Sequence, residues 1–101
     1  MDGCLTIDEA KKARVACMNA GFVVQGKHFR EELADESLDV ESVEHVMRSG
    51  RIITAPEFDV KFRNWKYRVE GTEPAGKWLA IVFSFRRVGT AFLITVFSIA
   101  R

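Results

Sequence analysis

Two apolar runs, Trp78-Leu79-Ala80-Ile81-Val82-Phe83-Ser84-Phe85 and Ala91-Phe92-Leu93-Ile94-Thr95-Val96-Phe97-Ser98-Ile99-Ala100, flank the short polar segment Arg86-Arg87-Val88-Gly89-Thr90. Aromatic and β-branched residues suit strands, and a short glycine-bearing link between such runs joins them as a hairpin. Near-continuous apolarity predicts strands buried on both faces, in the middle of a sheet. The upstream chain must then supply the covers.

Working back from the hairpin, Glu70-Gly71-Thr72-Glu73-Pro74-Ala75-Gly76 is a turn-rich loop. Val60 to Val69 alternates: Val60, Phe62, Asn64, Lys66 and Arg68 share one side, and Lys61, Arg63, Trp65, Tyr67 and Val69 the other. Arg51 to Phe58 reads as a further strand, which Pro56 places at an edge. Three helices precede these strands. Thr6-Ile7-Asp8-Glu9 opens the first with a capping box, and Gly21 ends it. Ile7, Ala10, Cys17 and Ala20 trace its buried face. The second runs from His28 to about Asp35, with Phe29 and Leu33 pointing one way. The third starts at the N-cap Asp39, buries Val40, Val43, Val46 and Met47, and stops at Gly50. Phe22 to Gln25 is too short to assign and reads as a link or a short edge strand. The order predicts an α+β architecture, three N-terminal helices packed on a four-stranded, mainly antiparallel sheet.

At 101 residues the chain is expected to form a single domain, 1–101. Its 48% hydrophobic and 29% charged content are those of an ordinary globular protein. A net charge of +1 excludes the strongly basic class of nucleic-acid binders, but the average hides a split. Glu31, Glu32, Asp35, Glu36, Asp39, Glu41 and Glu44 fall in a stretch without Lys or Arg, whereas Arg48, Arg51, Lys61, Arg63, Lys66 and Arg68 face only Glu57 and Asp59. A polyanion is therefore expected on the sheet side. Cys4 and Cys17 lack metal-ligand spacing and suit a reduced cytosolic protein. No signal peptide is visible, and the longest apolar stretch is about half of what spans a bilayer, so the expected location is cytoplasmic, with no membrane.

Phosphate-binding glycine loops, nucleophile elbows, metal-binding histidine pairs and CxxC are all missing, and no cofactor is expected. His28 lies at a helix start between Lys27 and Arg30. Histidine suits proton transfer near neutral pH, although such a residue also caps or packs a helix. Arg68 follows Tyr67 and shares a side with Lys66. A guanidinium binds phosphate bidentately, although an alternating strand more often just presents charge to solvent. Thr95 and Ser84 break the apolar runs and suit a backbone carbonyl, a solvent margin or, for Thr95, a phosphate. Trp65, Tyr67 and Trp78 offer faces for bases, but strand aromatics are mostly core.

Four segments in this order resemble one family: Lys27-His28-Phe29-Arg30; Leu38-Asp39 ahead of Val43-Glu44-His45-Val46-Met47 and Gly50; Tyr67-Arg68-Val69-Glu70-Gly71; and Ile94-Thr95-Val96-Phe97. It is the domain-of-unknown-function 4258 family, and the resemblance spans roughly residues 25–99, leaving the first helix, about 6–20, as an extra cover. The resemblance implies a RelE-like or barnase-like fold, similar to bacterial ribonuclease toxins of toxin–antitoxin pairs. It implies a metal-independent endoribonuclease with His28, Arg68 and Thr95 as catalytic positions. Lys27, Arg30, Lys66 and Tyr67 are then the substrate-binding candidates. RNA is the expected partner on the sheet, with an antitoxin or other protein on the acidic helices, and the chain a monomer or homodimer. The alternative is a non-catalytic protein- or nucleic-acid-binding module of the same fold. Glu32 and Glu36 stand where the family usually carries arginines, and Phe97 where it often carries tyrosine. An acidic helix lining the site would repel RNA.

Overall fold

The computed structural model describes residues 4–21, 23–87 and 89–100. Helices α1 (Ile7–Ala20), α2 (Lys27–Asp35) and α3 (Val40–Ser49) combine with strands β1 (Val23–Gln25), β2 (Glu57–Asp59), β3 (Asn64–Thr72), β4 (Trp78–Arg87) and β5 (Thr90–Ser98). The fold is α+β, and its sheet has five strands in the order β1-β5-β4-β3-β2. β1 runs parallel to β5, and the other pairs are antiparallel.

The sheet is thus mixed and five-stranded, not four-stranded. The extra strand is the short segment at Val23–Gln25, whose parallel pairing to Ala91–Leu93 is set by residues far along the chain. Two boundaries also differ from expectation. Arg51 makes only a single bridge to Glu70, and the strand proper is confined to Glu57–Asp59, after Pro56, which has no N–H for a ladder. The alternating segment becomes strand only at Asn64. Asp59 Oδ1 accepts the N–H groups of Lys61 (3.0 Å) and Phe62 (3.2 Å), closing a turn that ends with Arg63 at φ 54°. This side-chain turn outcompetes the ladder. It leaves Val60 and Phe62 exposed.

The cap signals act as the sequence implies. Thr6 and Glu9 bond reciprocally at the start of α1, and Gly21 closes it at φ 77°. Asp39 Oδ1 accepts the Ser42 N–H at 2.7 Å. That hydrogen bond holds the Asp39 carboxyl below its ordinary pKa. Val40, however, is exposed, as is Ile7.

The core lies on one face of the sheet. Ala10, Phe29, Val43, Val46 and Met47 of the helices meet Tyr67, Val69, Leu79, Ile81, Phe83, Leu93 and Val96. The hairpin is therefore not covered by helices on both faces. Residues on the opposite side of β5 (Phe92, Ile94, Thr95, Phe97) are half-buried, and the small Ala80 and Ser84 are buried there among larger neighbours. An extra residue in β5 shifts the register between Val82 and Phe83, so Val82 faces Thr95 while Phe83 faces Leu93.

α3 leaves the core through a tight crossing. A Cβ on Gly50 would lie 2.7 Å from Val46 O, 2.7 Å from Val69 Cγ2 and 2.8 Å from Glu70 O. On Gly71 it would lie 3.0 Å from the Gly50 Cα. Arg14, fully buried on α1, donates from Nη2 to Gly50 O at 2.9 Å, and burial pulls its pKa down. Two backbones and a guanidinium therefore meet where only hydrogen fits. Gly50→Ala is expected to destabilise the protein by about 1–3 kcal/mol, seen as a lower urea midpoint with unchanged slope. The Asp39 cap adds an acid-side prediction. Its folded-state pKa is depressed, so its stabilisation is present above the unfolded value and is lost as pH falls through the folded one. Asp39→Asn keeps the acceptor without the charge, so its stability should fall less than that of the parent protein on acidification.

Candidate functional site

β5 pairs with β1 only as far as Leu93. Beyond that point its outer edge still carries polar groups that need partners. α2 supplies them. Gly26 N–H donates to Leu93 O at 3.0 Å and ends the strand pairing. Glu32, one turn into α2, accepts from the Thr95 hydroxyl and, at 3.1 Å, from the Val96 N–H, both through Oε1. Glu36, four residues on, accepts from the Ser98 hydroxyl at 2.7 Å. Phe29 and Leu33 on the adjacent stripe of the helix reach the core. The two glutamates thus replace a neighbouring strand, which explains carboxylates at positions where basic residues were expected.

The helix is held so that His28 stands at the margin of the open sheet face. Its Nε2 lies 3.3 Å from Glu32 Oε2, and its ring is largely exposed. Glu32 therefore joins His28 to Thr95 through its two oxygens. The Nε2 side of the ring faces the carboxylate, and Nδ1 is the ring nitrogen not engaged by it.

Arg68 sits on the same face. It pairs across β4 through Val82 with Thr95. Its guanidinium spans the small Ala80: Cζ is 5.2 Å from the Phe97 ring centre, and Nε is 2.7 Å from Oε2 of the buried Glu70. It is clamped between a ring and a carboxylate. Lys66 neighbours it on β3, with Nζ 3.6 Å from Glu57 and 3.8 Å from Asp59.

A cavity of about 670 Å³ opens beside His28. Its walls include Lys27, Lys66 and Arg86, the rings of Phe62 and Phe92, and the Ser84 side chain. Arg86 lies over Phe92, with Cζ 3.6 Å from the ring centre.

Of the seven candidates, His28, Lys27 and Lys66 line this cavity. Thr95 adjoins it through Glu32, and Arg68 shares its face without lining it. Arg30 is exposed on α2, outside the lining. Tyr67 is on the covered face: its ring stacks on Phe83 at 5.7 Å and its oxygen accepts the Leu5 N–H at 2.9 Å. The odd-numbered register of β3 takes it away from Lys66 and Arg68. Glu32, Glu70 and Arg86 were not candidates from sequence, and Ser84 was read only as a polar break in its strand. Glu32 is legible only in hindsight, as the residue four after His28.

Residues 26–98 match the family described as domain of unknown function (DUF4258). The chain belongs to that family. Neither the curated proteins nor the solved structures gave a match to it. The family boundary excludes α1 and β1, so the tight crossing at Gly50 belongs to the family region while Arg14, which binds its carbonyl, does not. Among the described residues no three His, Cys, Asp or Glu side chains group as metal ligands, and no helix is long and apolar enough to cross a membrane.

Glu32→Ala is expected to leave the Thr95 hydroxyl and Val96 N–H without their acceptor and to cost about 1–3 kcal/mol in unfolding free energy. Hydrogen exchange at Val96 should accelerate in that variant. Glu32→Gln, which keeps an amide oxygen, should be affected less.

Proposed function

We propose that this member of the DUF4258 family is a metal-independent endoribonuclease of toxin type, with a fold related to the RelE-like and barnase-like ribonucleases. One observation carries the reading. An exposed histidine, oriented by a carboxylate, stands at the mouth of a cavity lined by lysine and arginine on an open sheet face. Proton transfer beside a phosphate-binding surface is what cleavage of an RNA strand by its own 2′-hydroxyl requires.

In this mechanism the His28 Nδ1 takes the proton of the attacking 2′-hydroxyl, or in protonated form gives one to the departing 5′-oxygen. The 2′-oxygen bonds to phosphorus as the bond to the 5′-oxygen breaks, leaving a cyclic phosphate. Glu32 holds the ring in place. Lys66 and Arg68 stabilise the charge that builds on the phosphoryl oxygens, and Arg68 must turn from Glu70 to reach them directly. Thr95 is a positioning residue through Glu32. An antitoxin or another protein would bind the acidic outer surface of α2 and α3, where Glu31, Asp35, Glu41 and Glu44 are exposed. The expected location of such an enzyme is the cytoplasm.

A second reading, a non-catalytic binding module, draws on the same contacts. Glu32 and Arg68 are each engaged within the protein, and the near-zero net charge gives little attraction for RNA.

His28→Ala separates the two. His28 is 68% exposed, so the fold should persist, with unchanged circular dichroism and midpoint. Cleavage of a single-stranded RNA in the presence of a chelator should fall about 100-fold or more. Equal cleavage by both proteins removes His28 from the mechanism. No cleavage by the parent protein, with no salt-dependent RNA binding, favours the binding module.

A further inference from the structure

The N-terminus of α2 faces the cavity described above. Gly26, Lys27 and His28 all line it, no side chain among the described residues caps the helix, and its first turn holds no acidic residue. A helix of nine residues with unsatisfied first-turn N–H groups attracts an anion. A Cβ at position 26 would lie 2.8 Å from the Phe92 ring, so the glycine lets this helix end press against the cavity wall.

A second feature points the same way. Ser84 lines the cavity and is 5% exposed. Its hydroxyl has no hydrogen-bond partner among the described residues. The hydroxyl is not sealed from the cavity, so a group that enters can bond it.

The remaining walls are flat rings and cations. Phe62 is 68% exposed and is held at the rim by the Asp59 turn. Phe92 carries Arg86 on its face. The one carboxylate among the described lining residues, Asp59, is balanced by Lys66 at 3.8 Å and by two backbone N–H groups. The volume of about 670 Å³ lies within the range of roughly 300–1,000 Å³ typical of small-ligand sites.

We propose that this cavity is a nucleotide subsite for single-stranded RNA. A phosphate sits at the α2 N-terminus against Ser84 and Lys27, and the base lies against Phe62. Duplex RNA keeps its base faces stacked inside the helix, so only an unpaired nucleotide fits both halves. The subsite deepens the proposed ribonuclease by naming its substrate class, and rests on that reading for the choice of RNA.

The test is a titration of the isotopically labelled full chain, followed by amide shifts, with a nucleoside 3′-monophosphate and separately with inorganic phosphate. The nucleotide should saturate, with the largest shifts at Lys27, His28 and Ser84. Phe62→Ala should weaken the nucleotide about tenfold and leave inorganic phosphate unchanged. Ser84→Ala should weaken both about three- to tenfold. Absence of saturation, shifts centred elsewhere, or equal binding of nucleotide and phosphate with no effect of Phe62→Ala overturns the subsite. Cleavage lost in His28→Ala while Phe62→Ala binds nucleotide normally removes the subsite and leaves the ribonuclease. Nucleotide binding in this cavity by a parent protein that cleaves no RNA does the reverse.

Discussion

The outer edge of β5 is the constraint on which the arrangement depends. Its first part is satisfied by a strand of only three residues, β1. The remainder is satisfied by side chains from a helix, Glu32 and Glu36. A carboxylate has enough acceptor capacity to serve a backbone N–H and a hydroxyl at once, which an apolar side chain could not do. The contact fixes the rotation of α2 about its axis. With Phe29 and Leu33 turned to the core and Glu32 and Glu36 turned to β5, His28 has only the margin of the open sheet face left to it.

The second constraint is the crossing at Gly50 and Gly71. It presses the exit of α3 onto β3, so that Arg51 and Glu70 exchange backbone hydrogen bonds of 2.8 and 2.9 Å. The core-forming faces of all three helices then lie on one side of the sheet. The other side is left to side chains of the strands themselves. That is why long cations, Lys66 and Arg68, lie over small neighbours there, and why a cavity forms where the β2–β3 turn projects past the sheet.

The two constraints answer the problem posed by an acidic helix beside a basic strand. The acidic residues do not form one surface. Glu32 and Glu36 are spent on β5, whereas Glu31 and Asp35 are exposed away from it. The basic residues are likewise divided: Arg68 is clamped by Glu70 and Phe97, while Lys27 and Arg86 remain exposed around the cavity. Net charge along the chain says little about either surface, because hydrogen bonds at close range fix which charges are free to act on a ligand.

Local physics was legible in the sequence itself. The capping box at Thr6 and Glu9, the Asp39 cap, the glycine stop at Gly21 and the apolar hairpin all depend on residues a few positions apart, and each is found where it was expected. His28 and Lys66 could be picked out by residue type and neighbours. Other features needed the folded chain. The parallel partner of β1 lies far away in sequence, and three residues carry no period by which to recognise it. Val60 to Arg63 alternates like a strand, but the Asp59 side chain turns it. Tyr67 looks like part of a basic site until pleating sends it to the covered face. Ser84 and the end of α2 meet at one cavity although 56 positions separate Ser84 from His28. The sequence determined the three helices and the central hairpin, because capping and periodicity are short-range. Only the tertiary structure decided which polar groups remain free, because that depends on what long-range pairing has already satisfied.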